Sequence, residues 1–290
     1  MSTYNGAKYL VPQIESVLAQ DVSDCTLIVR DDGSTDETLH ILECYERERR
    51  LEVIRGNNVG VVSSFIGLID YMAERFDYIA LCDQDDVWHS DKLSRALSIL
   101  DKRDSEIPRL YCSEYMFCDE DLNPIDRSHL KRGEISFQKM LYENRTSGNT
   151  MVINRALARL VSAGGDVGVY CHDWWISLLA TSFGELLYDD FISLDYRRLS
   201  NNVSPTGASG IKLLRRRIRA FLENGDLERV TLQLQKLNDT FGTALSEDKR
   251  VLLELFLKGR RMRKCLFPHR LRETVPAEFA VRLLFLFGGL

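Results

Sequence analysis

Short apolar runs and helical stretches alternate along the first two thirds of the chain. Cys25-Thr26-Leu27-Ile28-Val29 and Tyr78-Ile79-Ala80-Leu81-Cys82 read as buried strands, and Thr150-Met151-Val152-Ile153 as a third. Between them, Tyr9, Leu10, Ile14, Val17 and Leu18 recur at helical spacing, and 36–49 and 61–74 carry the same period. This alternation predicts an α/β fold with a mostly parallel central sheet. Ser34-x-x-Glu37 has the form of a capping box, which predicts Ser34 as the cap of the helix after the first strand. The texture changes at Ser204-Pro205-Thr206-Gly207-Ala208-Ser209-Gly210, a loop by composition. Beyond it strand signals cease. Leu214, Ile218, Phe221 and Leu222 fit one helix face, and Leu227, Val230, Leu234, Leu237 and Phe241 another. The expected organisation is a body over 1–209 and a helical appendage over 210–290.

Composition supports one large core with an appendage: 290 residues, 44% hydrophobic and 28% charged. No apolar run reaches the ~20 residues of a spanning helix. Met1-Ser2-Thr3-Tyr4 has neither a basic nor an apolar leader segment, so the expected location is the cytoplasm. The seven cysteines include no C-x-x-C pair, which predicts buried thiols in a reducing compartment. Charge changes the picture more. The net −5 divides into 21 Lys+Arg against 34 Asp+Glu in 1–209, and 17 against 9 in 210–290. An acidic body suits cation binding, and a basic tail suits an anionic partner.

Both strong strands end in carboxylates: Arg30-Asp31-Asp32-Gly33-Ser34 and Asp83-Gln84-Asp85-Asp86. Ligands of open α/β sheets bind beyond the carboxyl ends of the strands. Neighbouring carboxylates repel unless a cation or hydrogen-bond donors offset them. Oxygen ligands of this kind suit Mg²⁺ or Mn²⁺ beside substrate phosphates. Asp-rich turns and helix caps produce the same pattern without function, and two clusters on successive strands favour a site. No phosphate-binding glycine loop, dinucleotide fingerprint, zinc-spaced histidine pair or G-x-S-x-G elbow is present. A third constellation, Cys171-His172-Asp173-Trp174-Trp175, opens a helical pattern. Asp173 reads as a general base or a helix-dipole partner. The tryptophans read as a sugar platform or as core.

Thr3-Tyr4-Asn5-Gly6, Asp31-Asp32-Gly33-Ser34-Thr35-Asp36, Asp83-Gln84-Asp85-Asp86-Val87-Trp88, Ser147-Gly148-Asn149-Thr150 and His172-Asp173-Trp174-Trp175 follow in that order. Together they resemble family 2 glycosyltransferases of the GT-A fold, in particular bacterial rhamnosyltransferases of cell-surface polysaccharide assembly. The resemblance runs from residue 1 to about 205. It implies an inverting transfer from a pyrimidine nucleotide diphosphate sugar to a hydroxyl of a glycan acceptor, lipid-linked in that setting. It implies that Thr3, Tyr4, Asn5, Asp31 and Asp32 contact the nucleoside. Asp83 would meet the ribose, and Asp83 and Asp85 the metal. Gly148, Asn149, His172, Trp174, Trp175 and Arg197 would line the donor and acceptor cleft, and Asp173 would be the catalytic base. Two departures stand out. The apolar strand usual before Thr3 is absent or very short, and Leu199 stands where a metal-binding histidine is expected. These keep two alternatives open, a nucleotidyltransferase and a non-catalytic nucleotide-sugar-binding assembly subunit.

The basic residues of 210–272 and the apolar run Phe279–Phe287 predict contact with the inner face of the plasma membrane. Packing on the acidic body or a homodimer contact are the alternatives. Nucleic acid is not an expected partner, since no aromatics interleave with the cations.

Overall fold

A computed structural model describes residues 1–130, 135–199 and 226–287. The loop at 204–210, the boundary at 209/210 and the helix face of Leu214, Ile218, Phe221 and Leu222 lie outside the described residues. The chain runs β1 (Ser2–Thr3), α1 (Ala7–Leu18), β2 (Ile28–Asp31), α2 (Thr38–Arg47), β3 (Glu52–Arg55), α3 (Val61–Met72), β4 (Tyr78–Ala80), β5 (Val87–Trp88) and α4 (Lys92–Leu100). It continues through β6 (Arg109–Cys118), β7 (Pro124–Arg127), α5 (Phe137–Met140), a 3₁₀ turn (Gly148–Thr150), β8 (Val152–Asn154), α6 (Arg155–Gly164), α7 (His172–Phe183) and β9 (Glu185–Arg197). The last helices are α8 (Asp226–Phe241), α9 (Glu247–Lys258), α10 (Arg261–Cys265) and α11 (Val275–Phe287).

β1, β2 and β3 form a parallel sheet with β2 in the middle. A second sheet has the order β4-β8-β6-β9-β5, with β7 on β6. β6 and β9 pair in parallel, and the other pairings of this sheet are antiparallel. The Ser2 amide donates to the Cys82 carbonyl at 3.4 Å and joins the two sheets.

The helical periodicities translate directly into packing. Leu10, Ile14 and Val17 of α1 are buried, a spacing that keeps one face of the helix on the sheet. They share a cluster with Val29 of β2 and Leu42 of α2. Trimming Leu10 or Ile14 to Ala would cost about 2–5 kcal/mol. α7 is buried at ten of its twelve residues. Two of its hydroxyls are satisfied within the helix, Thr181 and Ser182 donating to the carbonyls of Ser177 and Leu178 at 2.9 and 2.6 Å, and the Ser177 hydroxyl bonds with that of Thr146 at 2.7 Å. α7 therefore crosses the core, with Asp173 of its first turn only half-buried.

α8, α9 and α11 supply Val230, Leu234, Leu237, Phe256 and Phe285 to the same core cluster as Trp175, Leu178 and Leu179. Tyr142 packs edge-on against both Phe256 and Phe285, at 5.3 and 5.1 Å between ring centres.

Three local expectations are corrected. The strand predicted from Cys25 begins at Ile28, where pairing with β1 and β3 starts, and Cys25 is exposed. Ser34 caps no helix: α2 starts at Thr38, and the Ser34 hydroxyl donates to Asp31 Oδ1 at 2.5 Å. Of the seven cysteines only Cys82, in the segment after β4, and Cys112 and Cys118 of β6 are buried.

Candidate active site

The chain leaves β1, β2 and β4 in three loops, and side-chain bonds to backbone lock them together. Gln84 grips Tyr4 from both sides: the Tyr4 amide donates to Gln84 Oε1 at 2.9 Å, and Gln84 Nε2 donates to the Tyr4 carbonyl at 3.2 Å. Gly6 makes room for this, since a Cβ there would lie 2.2 Å from Gln84 Oε1. Asn5 has a left-handed φ of 49°, accepts from the Thr35 amide at 2.8 Å and donates its own amide to Ser34 Oγ at 3.0 Å. Thr3 is buried beneath, 3.4 Å from Asp31 Oδ1. The face of the Tyr4 ring remains open, as its 46% exposure indicates.

Asp31 and Asp32 hold this wall. Asp31 accepts from the amides of Gly33 and Ser34 at 3.2 and 3.0 Å. Asp32 pairs with Arg30 and accepts from the amides of Val59 and Gly60, both at 2.9 Å. Burial opposes the Asp32 charge, and Arg30 with the two amides outweighs it, so its carboxyl is held below the usual value of 3.8.

The second acidic loop is organised around Asp86, which is fully buried. Asn149 Nδ2 donates to it at 2.7 Å and the Arg197 amide at 3.3 Å. Arg197 Nε also donates to the Asp85 carbonyl at 3.0 Å, and its guanidinium lies 4.8 Å from the centre of the Tyr9 ring. Asp83 and Asp85 are half-buried, and of the two Asp85 is held through its carbonyl by Arg197. Burial pushes both carboxyls above the usual range, and Asp85 and Asp173 add repulsion at Asp83.

Asp173 comes to this cluster from the head of α7. It accepts from the Trp174 amide at 2.6 Å and from Cys171 Sγ at 2.7 Å. Its neighbour His172 stacks on Phe65 at 4.3 Å and is held in its neutral form by burial. Neither ring nitrogen of His172 finds a partner. Gly148 lies against it, where a Cβ would sit 2.9 Å from His172 Nε2. Asp83 thus feels the charges of Asp85 and Asp173, and Gly148 lies against His172 and Asp173, with Asn149 and Arg197 bonded to the loop through Asp86.

The tryptophans are core rather than platform. Trp174 is 6% exposed with Nε1 donating to the Met140 carbonyl at 2.6 Å, and Trp175 is fully buried. Helical spacing turned both toward α5, α6 and α8. Leu199 is half-buried. Lys92 was missed in the sequence. It is fully buried, donates to the Asn149 carbonyl, and lies 4.3 Å from the centre of the Trp88 ring. Burial pushes its ammonium down to about 7. Tyr115 and Tyr196 were missed as well. Their rings stand 5.1 Å apart, and burial together with Asp86 raises both phenols.

A family model described as glycosyl transferase family 2 matches residues 1–159, more than half of the chain. The chain belongs to that family. This family 2 chain is 35% identical to the dTDP-rhamnosyl transferase RfbG of Shigella flexneri over 105 residues, 34% of this chain and 36% of RfbG. It is 25% identical to TuaG of Bacillus subtilis, a putative teichuronic acid biosynthesis glycosyltransferase, over 204 residues, 70% of this chain and 79% of TuaG. The stretch shared with RfbG thus spans about a third of RfbG's length. The crystal structure of S. aureus TarS 1–349 in complex with UDP matches with a TM-score of 0.56 at 18% identity, over 92% of this chain and 74% of that one. That likeness is one of fold, the GT-A type.

Among the described residues no group of three or more His, Cys, Asp or Glu forms a ready metal site. Asp83 and Asp85 nevertheless suit a hard divalent cation. Both offer carboxylate oxygen, the donor such a cation takes.

Proposed function

We propose that this chain transfers a sugar from a pyrimidine nucleotide diphosphate donor, with inversion, to a hydroxyl of a glycan acceptor. The observation that carries this reading is that Asp85 and Asp173 both stand near enough to Asp83 to repel its charge, in a family 2 glycosyl transferase. The loop of Thr3, Tyr4 and Asn5, braced by Asp31 and Asp32, forms the nucleoside wall. Asp83 and Asp85 would hold Mg²⁺ or Mn²⁺, which would offset charge on the departing diphosphate. Asp173 takes the proton from the acceptor hydroxyl, help worth about 10²–10⁴-fold. The Cys171 thiol and the Trp174 amide orient its carboxylate. His172 and Gly148 border the sugar, and Phe65 keeps the imidazole dry and neutral.

The similarity to RfbG supports rhamnose as the donor sugar, and the similarity to TuaG supports a cell-surface polysaccharide as the product. A lipid-linked acceptor at the inner face of the plasma membrane fits both. The test is a panel of pyrimidine nucleotide sugars with Mg²⁺, Mn²⁺ or a chelator, scored for nucleoside diphosphate release. Release with one donor, lost on chelation and in Asp85→Ala, is the expected result. Pyrophosphate release from a nucleoside triphosphate would instead identify a nucleotidyltransferase, and donor binding without turnover a binding subunit.

A further inference from the structure

α11 carries apolar residues on two faces. Ala277, Val281 and Phe285 are buried against the protein together with the charged Glu278, and a second apolar set faces outward. Glu278 is buried, accepting from the amides of Leu271 and Arg272 at 2.9 and 2.7 Å and from Arg282 Nε at 2.7 Å. Arg282 in turn donates to the carbonyls of Cys265 and His269 at 2.7 and 3.0 Å, which fastens α11 to α10 and the segment after it. Val275, Phe279 and Leu283 follow at intervals of four on the face away from Ala277 and Val281 and are exposed, Val275 and Phe279 at 62% and 63%. Pro276, Ala280 and Leu286 accompany them. Arg282, at the edge of that face, is drawn toward Glu278 and two backbone carbonyls. α10 and its end add Met262 and Leu266, the latter 69% exposed.

An outward apolar helix face is costly in water and calls for a partner. The surrounding charge says which. Lys258, Arg260, Arg261, Arg263 and Arg270 are all exposed. The only carboxylates in the chain from 258 to 287 are Glu273 and Glu278. Glu273 is half-buried beside Arg145 and Lys139, and Glu278 is buried. A second copy of the chain seated on this face would bring two sets of cations together. A nucleic acid would match the cations and gain nothing from Val275, Leu283 or Leu266. An anionic bilayer matches both, taking the apolar face among its acyl chains and the cations at its headgroups. No described helix is long and apolar enough to cross a membrane, so the contact lies in the surface plane.

We infer that the outward face of α11, with the exposed cations of 258–270, seats this protein on an anionic lipid surface. The purpose, delivery of the cleft to a lipid-linked acceptor, rests on the glycosyl-transfer reading, and the binding itself does not.

The test is cosedimentation of the full chain with phosphatidylcholine vesicles and with vesicles containing phosphatidylglycerol, at low and high salt. UDP and dTDP binding by calorimetry is followed on the same preparations. The chain should pellet with phosphatidylglycerol vesicles and be released by salt. Phe279→Ser with Leu283→Ser should weaken binding by about ten-fold or more. Arg260→Ser, Arg261→Ser and Arg263→Ser should each weaken it about five-fold. Val167→Ser, which alters an apolar residue 84% exposed elsewhere, should change nothing. A chain that stays in the supernatant with both vesicles overturns the inference. So does binding that all variants retain, or a lipid-free dimer by light scattering that Phe279→Ser with Leu283→Ser dissolves. Vesicle binding without nucleotide binding would sink the transferase reading and leave the lipid face standing, and the reverse result would sink the lipid face alone.

Discussion

Asn149 Nδ2 donates to Asp86 Oδ2 at 2.7 Å, and through this bond the turn that borders the cleft is tied to the loop that carries Asp83 and Asp85. Both partners are buried, so the acceptor has no water to fall back on. Asn149→Ala should lower stability by about 1–3 kcal/mol, as expected when a buried polar group loses its partner. It should also weaken nucleotide binding. Urea denaturation and calorimetry on one preparation measure both, and a variant unaltered in stability would show that Asp86 is held by Arg197 alone.

Asp173→Asn keeps the shape and the acceptor oxygen facing the Trp174 amide while removing basicity. Transfer should fall by about 10²–10⁴-fold with donor affinity unchanged. Single-turnover rates set beside the donor dissociation constant separate the two effects. Transfer at the parent rate would remove Asp173 from the chemistry.

Acid should loosen the loop that Asp32 holds through Val59 and Gly60. The folded Asp32 carboxyl lies below its usual 3.8, so its stabilisation is complete above that pH and disappears as pH falls through the lower folded value. The stability difference between the parent and Asp32→Asn should therefore be steady from neutral pH down to about 5 and shrink below 4. Thermal denaturation across that range reads it, and a gap that widens in acid would contradict the assignment.

Gly6→Ala should push Gln84 away from the Tyr4 backbone, because the new methyl occupies the place of Gln84 Oε1. The obstacle is the end of a side chain, so the fold should survive with a nearly unchanged melting temperature. Pyrimidine nucleoside diphosphate affinity should drop about five- to ten-fold, the effect of one or two lost hydrogen bonds. Gln84→Ala should give the same loss, and combining the two should add little.

The parts of the fold that were legible in the sequence are those whose neighbours lie close along the chain. The period of Leu10, Ile14 and Val17 sufficed for α1, and the apolar run up to Leu81 for β4. The long strands β6 and β9 gave no such signal. Arg109 and Glu114 of β6 and Asp189 of β9 are polar yet buried, because distant partners satisfy them: Glu185, Tyr188 and Arg95. Nothing local announces those pairs. Candidate chemistry followed the same rule. Asp83, Asp85 and Asp173 were visible as motifs, whereas the roles of Lys92 and Arg197 depend on turns 57 and 111 residues away. Trp174 and Trp175 show the converse: composition cannot tell a ring presented to a sugar from one filling a core.

The bonds that assemble the cleft have a temporal consequence. Gln84 meets Tyr4 across 80 residues, Asn149 meets Asp86 across 63, and Arg197 meets Asp86 across 111. Closing such long loops is entropically unfavourable and slow relative to forming local helices. A ribosome-bound chain that has not yet emerged past Arg197 therefore lacks the last clasp on Asp86, however well α1 and α3 have formed. Nucleotide binding should appear late and abruptly during synthesis, which makes it a reporter of completed folding as much as of chemistry.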